Sequence, residues 1–161
     1  MRNVAVGGWL FAAASFWAIS SAYAQESPPP SEKAKAVVAL VERAAALVNA
    51  KGKAACAAFR QSDSEWRRGD IYLFVIDLRG VQWCNAGFPK QDGADVSDVK
   101  DSNGRLVVMD TIKIAEANGA GWIGYMWPKA GQTEPLQKWS YVKAVQIDGT
   151  PAYVGAGFYQ E

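Results

Sequence analysis

The chain has 161 residues, of which 17 are Lys or Arg and 16 are Asp or Glu, so its formal net charge is +1. This length suits one domain with a substantial core and is short for two. The near balance of charge, without a cluster of Lys or Arg, argues against a nucleic-acid-binding surface. Because the sequence contains no histidine, it cannot form a histidine-containing zinc site or use histidine as a catalytic base.

The N-terminal segment has the pattern of a secretory signal. Arg2 is followed by an uncharged apolar run over residues 4–19 and by the small-x-small sequence Ala22-Tyr23-Ala24. We therefore predict a signal peptide over residues 1–24, cleaved near Ala24, and a periplasmic or secreted protein. An uncleaved anchor helix is the alternative, but the run is short for the ~20 apolar residues that span a bilayer.

Cleavage would leave 137 residues with equal numbers of basic and acidic side chains, because only Arg2 is lost from the charged set. Residues 25–31 are polar and rich in proline, and we predict a disordered spacer there. Residues 32–161 are predicted to form a single domain without a membrane span.

A long amphipathic helix is predicted from Glu32 onward, with Ser31 as its N-cap. Its apolar residues recur at spacings of three and four, which places them on one face. They are Val37, Leu40, Val41, Ala44, Leu47 and Val48. Gly52 interrupts the pattern, and residues 53–59 are predicted to form a second helical piece.

The pattern then changes to that of an antiparallel hairpin. Residues 71–77 are β-branched and aromatic, as in a buried strand, and residues 81–85 are predicted to be its partner. The sequence Asp77-Leu-Arg-Gly80 between them is typical of a tight turn, with glycine where φ is positive. We expect Ile71, Leu73 and Val75 to pack on the long helix, and Tyr72, Phe74 and Ile76 to face a pocket on the other side.

The second half is predicted to contain a loop over residues 86–104 and a helix over residues 106–117, with Leu106, Met109 and Ile112 on one side. Three strands follow, at residues 122–127, 136–147 and 152–158, and Asp148-Gly149 is a strong hairpin signal between the last two. The fold class is therefore α+β. It has a five-stranded antiparallel sheet, a long N-terminal helix, and a helix-containing loop between strands 2 and 3.

Cys56 and Cys84 are the only cysteines and do not form a CxxC pair. In an oxidising compartment a structural disulfide is the favoured interpretation. Two buried thiols acting as small hydrophobic side chains remain the alternative.

The spaced aspartates at positions 92, 95, 98 and 101 do not fit a calcium loop, because Val99 would occupy the first ligand position. A turn at residues 101–104 is the better interpretation, and no metal site is predicted. The sequence also has neither a Gly-x-Ser-x-Gly elbow nor a phosphate-binding loop. We therefore predict neither enzymatic activity nor a cofactor.

Several segments, in this order, resemble a single Cache domain, the extracytoplasmic sensor fold related to PAS domains. They include Gly69-Asp-Ile-Tyr-Leu-Phe-Val-Ile-Asp77, Asp101-Ser-Asn-Gly104, Gly121-Trp-Ile-Gly-Tyr-Met-Trp127, Lys138-Trp-Ser-Tyr-Val142 and Gly155-Ala-Gly-Phe-Tyr159. The resemblance implies a module that binds small organic acids or amines between the sheet and a covering loop. Family members often have histidine at the position of Asn85, and asparagine cannot change its charge near neutral pH.

A carboxylate ligand needs a cation and a few hydroxyl or amide donors in an apolar wall. The predicted ligand-binding residues are Tyr72, Phe74, Trp83, Asn85, Tyr125, Trp127, Lys138 and Tyr141. Strand alternation places Lys138 and Tyr141 on opposite faces, so a pocket that uses both requires a bulge or a loop contact. The competing interpretations are a solvated lysine and aromatic side chains that serve only as core.

The predicted function is binding of a small organic ligand, with a short organic acid favoured, in an extracytoplasmic sensing domain without its own output module. Such a domain would act through a membrane receptor or another periplasmic protein. The alternative is a structural or accessory protein that keeps the fold, binds no ligand and contacts a membrane partner.

Overall fold

The computed structural model describes residues 26–160, so the predicted signal peptide lies outside the described residues. The helices are α1 (Glu32–Lys51), α2 (Ala55–Phe59) and α3 (Val107–Asn118), with short 3-10 turns at Gly52–Ala54 and Pro89–Gln91. The strands are β1 (Leu73–Asp77), β2 (Gln82–Asn85), β3 (Ala120–Pro128), β4 (Pro135–Ile147) and β5 (Thr150–Tyr159). All neighbouring strands pair antiparallel in one sheet of order β2-β1-β5-β4-β3. The predicted α+β class is confirmed.

Helix α1 begins where the sequence predicts and lies across one face of the sheet. The Ser31 hydroxyl oxygen accepts a hydrogen bond from the Ala34 backbone N–H at 3.1 Å, as expected of an N-cap. The buried side chains form one stripe against β4 and β5. They are Ala34, Val37, Leu40, Val41, Ala44, Ala45 and Val48. Gly52 ends the helix at a φ of 54°, and a Cβ there would collide with the Asp148 carboxylate.

Both faces of the sheet are buried, and alternation assigns each strand side chain to one of them. The face toward α1 carries Leu73, Val75, Val145, Val154 and Ala156. The opposite face carries Tyr72, Phe74, Ile76, Val142 and Tyr153. The predicted division of the first strand, with aliphatic side chains toward the helix and aromatic ones away from it, is confirmed.

Asp77 organises the turn between β1 and β2. Its buried carboxylate accepts hydrogen bonds from the backbone N–H groups of Arg79 at 2.9 Å and Val81 at 3.0 Å. Burial alone would raise the pKa of Asp77, but these hydrogen bonds and the contact with the Arg79 guanidinium lower it below its usual value. Gly80 has a φ of 93°, so the predicted tight turn is confirmed.

A β-bulge in β2 determines which of its side chains face away from α1. Val75 pairs with Cys84, whereas the next residue of β1, Ile76, pairs with Gln82. Trp83 is therefore the extra residue of the bulge. As a result Gln82 and Asn85, three positions apart, lie on the same face of the sheet.

The predicted disulfide is present. Cys56 in α2 and Cys84 in β2 are bonded, with Cα atoms 5.9 Å apart. The bridge joins the helical layer to the strand beside the covering loop. It closes a segment of 28 residues that includes β1 and the irregular stretch between α2 and β1.

The segment between β2 and β3 covers the sheet face opposite α1. Asp101 anchors it, since one carboxylate oxygen accepts from the backbone N–H groups of Asn103 and Arg105, both at 2.9 Å. The other oxygen accepts from the Met126 backbone N–H on β3 at 3.1 Å. This geometry confirms the predicted turn at residues 101–104. Across residues 26–160, no cluster of acidic or sulfur side chains is arranged to hold a metal.

The helix predicted after this loop is present, but its buried face differs from the prediction. Leu106 and Met109 are 37% and 36% exposed, whereas Val107, Val108 and Thr111 are buried together with Ile112. The segment begins with four consecutive apolar residues, at positions 106–109, so their spacing does not select one face. Packing against β3 and the sheet selects it instead.

At the N-terminal end of the described residues, Glu26 contacts β3. Glu26 forms an isolated bridge with Trp122, pairs with the Arg105 guanidinium at 3.1 Å, and accepts from the Gly124 N–H at 3.0 Å. These contacts could not be inferred from the local Pro-rich composition. Among residues 26–160, no helix has the length and apolar character needed to cross a membrane.

Candidate ligand-binding site

A cavity of about 50 Å³ lies between the sheet face opposite α1 and the covering segment. Its floor is aromatic and consists of Tyr72, Phe74, Tyr125, Trp127 and Tyr153. Its roof is aliphatic and consists of Val96 and Val99 from the loop and Val107 and Val108 from α3. The polar lining consists of Gln82, Asn85, Gln91, Thr111, Lys138 and Ser140. A small ligand here would meet an apolar enclosure with a few convergent polar groups.

Two glycines of β5 keep the floor open. Gly155 and Gly157 lie between Tyr153 and Tyr159 on the cavity face. A Cβ on Gly155 would lie 2.6 Å from the Phe74 ring, and one on Gly157 would lie 2.9 Å from Lys138 Cε. The glycines therefore give the Phe74 ring and the Lys138 stem the space in which they lie.

Lys138 is the central polar group of the site. Its side chain is 1% exposed, and its Nζ donates a hydrogen bond to the Tyr72 hydroxyl oxygen at 2.6 Å. Its Nζ also lies 4.0 Å from the centre of the Tyr72 ring and 5.3 Å from that of Tyr159. Lys138 takes part in none of the ion pairs within residues 26–160. Asp70, the acidic residue whose charge affects the pKa of Lys138, is paired with Lys129. The site therefore contains a buried lysine without an acidic partner.

Burial lowers the pKa of Lys138 to about 7, because aromatic rings replace water around the ammonium group. The charge of Asp70 acts in the opposite direction. Burial likewise raises the pKa of both Tyr72 and Tyr125 above the usual value, so these hydroxyls remain protonated at neutral pH. The lysine is thus the group in the cavity whose charge can change near neutrality.

A hydroxyl pair lies beside the lysine. Tyr125 on β3 is the cross-strand neighbour of Lys138, and its hydroxyl lies 3.0 Å from the Ser140 Oγ. Either oxygen can be the donor. Whichever hydroxyl accepts keeps its own hydrogen free, so the pair can offer one donor to a guest.

An amide cluster lies at the β2 side of the cavity. The Gln82 side-chain amide donates to the Phe88 carbonyl at 3.1 Å and to the Asp92 carboxylate at 3.0 Å. The Asn85 carbonyl oxygen accepts from the backbone N–H groups of Gly87 and Phe88, both at 3.0 Å. These bonds hold the start of the covering segment against the sheet. Asn85 therefore holds the start of the covering segment in place.

Six of the eight residues predicted for the site line this one cavity. They are Tyr72, Phe74, Asn85, Tyr125, Trp127 and Lys138. Trp83 and Tyr141 do not line it, and their inclusion in the predicted site is corrected here. Tyr141 follows the strict alternation of β4 and packs against Trp122 on the α1 side, with ring centres 5.2 Å apart. Trp83, the bulged residue, also lies on that side, where its indole N–H donates to Asp77 at 3.3 Å.

The sequence reasoning missed four polar lining residues, Gln82, Gln91, Thr111 and Ser140. Ser140 could have been found, since it shares a face with Lys138 two positions away. Gln82 depends on the bulge and Thr111 on the orientation of α3, and neither feature has a clear local signal in the sequence.

Comparison with known proteins assigns the chain to a family. The sequence profile of the Cache domain matches residues 56–161, which is more than half of the chain. The chain belongs to the Cache domain family. Cache domains are sensing domains, and the predicted resemblance is confirmed.

The structural relatives agree with this assignment. A Cache chemosensory domain studied for carboxylic acid recognition is 27% identical, with a TM-score of 0.69, and the match covers 80% of this chain and 94% of that one. A periplasmic sensor domain of a chemotaxis protein is 32% identical, with a TM-score of 0.61, and the match covers 79% of this chain and 90% of that one.

Among curated proteins, the methyl-accepting chemotaxis protein McpP of Pseudomonas putida is 32% identical over 90 residues. The match covers 56% of this chain and 16% of McpP. The chain therefore corresponds to a small part of the length of that receptor, and the activity of the whole receptor is not transferred to it.

Proposed function

We propose that this Cache domain is an extracytoplasmic sensor that binds a short carboxylate in the cavity around Lys138. The proposal depends on one observation, which is that Lys138 is buried without an acidic partner. A protonated amine in such a place is unfavourable unless an anion compensates it. A ligand carboxylate would supply that anion.

The arrangement of donors supports a carboxylate rather than an amine. Lys138 and the Tyr125–Ser140 hydroxyl pair offer N–H and O–H donors at one end of the cavity. A carboxylate accepts such hydrogen bonds with both oxygens, and bonds between charged partners are the stronger ones. An ammonium ligand would meet Lys138 as a like charge or as a competitor for the same hydroxyl groups.

The cavity size supports a small guest. A single water molecule needs about 10–15 Å³ of such space, so the cavity of about 50 Å³ suits a guest of about four non-hydrogen atoms. Acetate has this size, and propionate, lactate and pyruvate require modest movement of the valine roof. The relative studied for carboxylic acid recognition supports the same ligand class.

The proposed output is a change in the covering segment, because its valines and α3 form the roof of the cavity. A bound guest would reduce the mobility of that roof and alter the surface that a membrane receptor or another periplasmic protein contacts. The periplasmic or secreted location and the signal peptide over residues 1–24 belong to this proposal.

A thermal-shift screen of the purified protein tests the proposal with acetate, propionate, lactate, pyruvate, and the size-matched amines ethylamine and propylamine. Binding to the native state alone raises the melting temperature by mass action. We expect an increase with at least one carboxylate and none with the amines. Lys138→Met should abolish the increase, whereas Lys143→Met, on the opposite face of the same strand, should retain it.

If none of these carboxylates raises the melting temperature of either the wild-type protein or Lys138→Met, the accessory-protein alternative would be favoured. A shift with the amines alone would reject the carboxylate class while keeping a binding function.

A further inference from the structure

We propose that Lys138 is uncharged in the empty cavity above neutral pH and takes up one proton from water when a carboxylate binds. The inference rests on the proposed function, because it concerns protonation at the same site. The neutral amine, one proton and the carboxylate anion combine into an ammonium–carboxylate pair. The protein therefore captures the equivalent of one neutral acid molecule, and no covalent bond within the ligand changes.

The surroundings of the Lys138 nitrogen favour the neutral form. A protonated lysine has three N–H donors, and the Tyr72 hydroxyl oxygen at 2.6 Å accepts one of them. A neutral amine has a lone pair instead, and the Tyr72 hydroxyl can donate to it over the same distance. The Tyr72 ring at 4.0 Å attracts a cation, but it does not replace the hydrogen bonds of lost water.

Among residues 26–160, no charged group that lines the cavity compensates the ammonium. The ionisable neighbours are Tyr72 before β1, Tyr125 on β3 and Tyr153 and Tyr159 on β5, and burial raises the pKa of each so that it stays neutral. The lining side chains of the loop and α3 are Gln91, Val96, Val99, Val107, Val108 and Thr111, none of which ionises.

The nearby acids are already paired. Asp70 pairs with Lys129, and Asp92 pairs with Arg60. A carboxylate entering the cavity would thus be the first counter-ion in contact with Lys138. It would favour the ammonium form and raise the pKa of Lys138 from its lowered value of about 7.

The amino-acid composition allows a proton taken up on ligand binding to be assigned to one group. The chain contains no histidine, which is the side chain that ordinarily titrates between about pH 5 and 8. Apart from Lys138, the α-amino group is the usual titrating group in that range. Proton uptake on binding can therefore be assigned with a single variant.

The test is isothermal titration of the purified protein with acetate and, separately, propionate, in two buffers of different ionisation enthalpy. The difference in heat gives the number of protons taken up. We expect about one proton at about pH 8.5 and near zero at about pH 5.5, where Lys138 is already charged. The dissociation constant should rise about tenfold per pH unit above about pH 8.

Two further measurements test the protonation state of Lys138. Lys138→Arg carries a permanent charge, so if it folds and binds, it should take up no proton at either pH. In the ligand-free wild-type protein, the NMR signals of the Lys138 side-chain carbons should titrate near neutrality. These signals are identified as the ones that are missing from the spectrum of Lys138→Arg.

Acetate or propionate binding without proton uptake at about pH 8.5 would overturn the inference and leave the proposed function intact. Titration of free Lys138 near its ordinary value, above pH 10, would overturn it without any ligand. The absence of binding by either acid at both pH values would reject this inference and the carboxylate proposal together.

Discussion

Gly157 on β5 lies directly opposite Ser140 on β4, and a Cβ on Gly157 would approach the Ser140 Oγ to 2.3 Å. The same Cβ would lie 2.5 Å from the Trp139 carbonyl oxygen, a backbone atom that cannot move away without displacing the strand. The absence of a side chain at position 157 thus leaves room for the side chains of Ser140 and Lys138, which share one face of β4. The glycine therefore contributes to the shape of the candidate site.

Gly157→Ala should therefore narrow the site. We expect a loss of about 1–3 kcal/mol in the free energy of unfolding from overpacking and a loss of carboxylate binding, measured by urea denaturation and by titration with acetate. Gly119→Ala is the control, since its positive φ of 72° costs roughly 1 kcal/mol but nothing lies within 4 Å of its Cβ. Binding that falls equally in both variants would mean that stability alone, and not the cavity, is responsible.

Tyr125 and Tyr141 form a matched pair for testing which sheet face binds ligand. Tyr125 faces the cavity and contacts Ser140, whereas Tyr141 lies on the α1 side against Trp122. Tyr125→Phe should weaken acetate binding about tenfold, as expected for one lost hydrogen bond of about 1.4 kcal/mol. Tyr141→Phe should leave the dissociation constant unchanged, and an equal effect of the two substitutions would contradict the assignment of faces.

The stability of the ligand-free protein should increase with pH near and above neutrality. The folded-state pKa of Lys138, about 7, lies below its usual value of 10.5, so the unfolded chain binds more protons between these values. The free energy of unfolding should therefore rise over this window, by at most about 1.4 kcal/mol per pH unit. Urea denaturation from about pH 6 to about pH 9 measures the slope.

Lys138→Met is the control for this pH dependence. It removes the titrating amine while retaining an unbranched side chain of similar length, so the slope above pH 7 should disappear. The variant should also be more stable than the wild-type protein at about pH 6, because no buried charge remains. A slope that persists in Lys138→Met would assign the pH dependence to another group.

The disulfide should stabilise the fold without contributing to the site. Its loop of 28 residues corresponds to about 3–4 kcal/mol on the chain-entropy estimate, so Cys56→Ser/Cys84→Ser should lose about that much in urea denaturation. Acetate affinity under native conditions should change little, because Cys84 lies on the α1 side of the sheet. A large loss of affinity in a folded double variant would indicate that the bridge also positions Asn85 and the covering segment.

The local sequence was sufficient for most of the architecture. The three-and-four spacing from Val37 to Val48 predicts α1, and the alternation at residues 71–77 predicts which side chains of β1 face the helix. Both patterns are local, and burial on one side of an element imposes them directly. The same alternation pointed to a conflict between Lys138 and Tyr141, which the unbroken register of β4 resolves in favour of opposite faces.

The errors arose where a non-local contact decides the outcome. The bulge at Trp83 moves its indole toward α1 and brings Gln82 into the cavity, and nothing in the sequence of β2 marks the extra residue. Leu106 and Val107 are both apolar, so the local sequence does not show which of them is buried. The packing of α3 against β3 decides it. The contacts of Glu26 are non-local in the same way, because Arg105 and Gly124 lie 79 and 98 positions away along the chain.

The sequence by itself determined the α+β class, the order of the elements and most of the aromatic set, since these follow from periodicity and turn residues. It favoured a disulfide between its two cysteines, and the structure shows that bond. Only the tertiary structure decided that Lys138 is buried without an acidic partner. Strand alternation assigns a lysine to a face, but the residues that enclose it come from β1, β3 and β5 and from the segment folded over them. Whether a charge is solvated or isolated is a property of that enclosure, and it makes this lysine the centre of the proposed site.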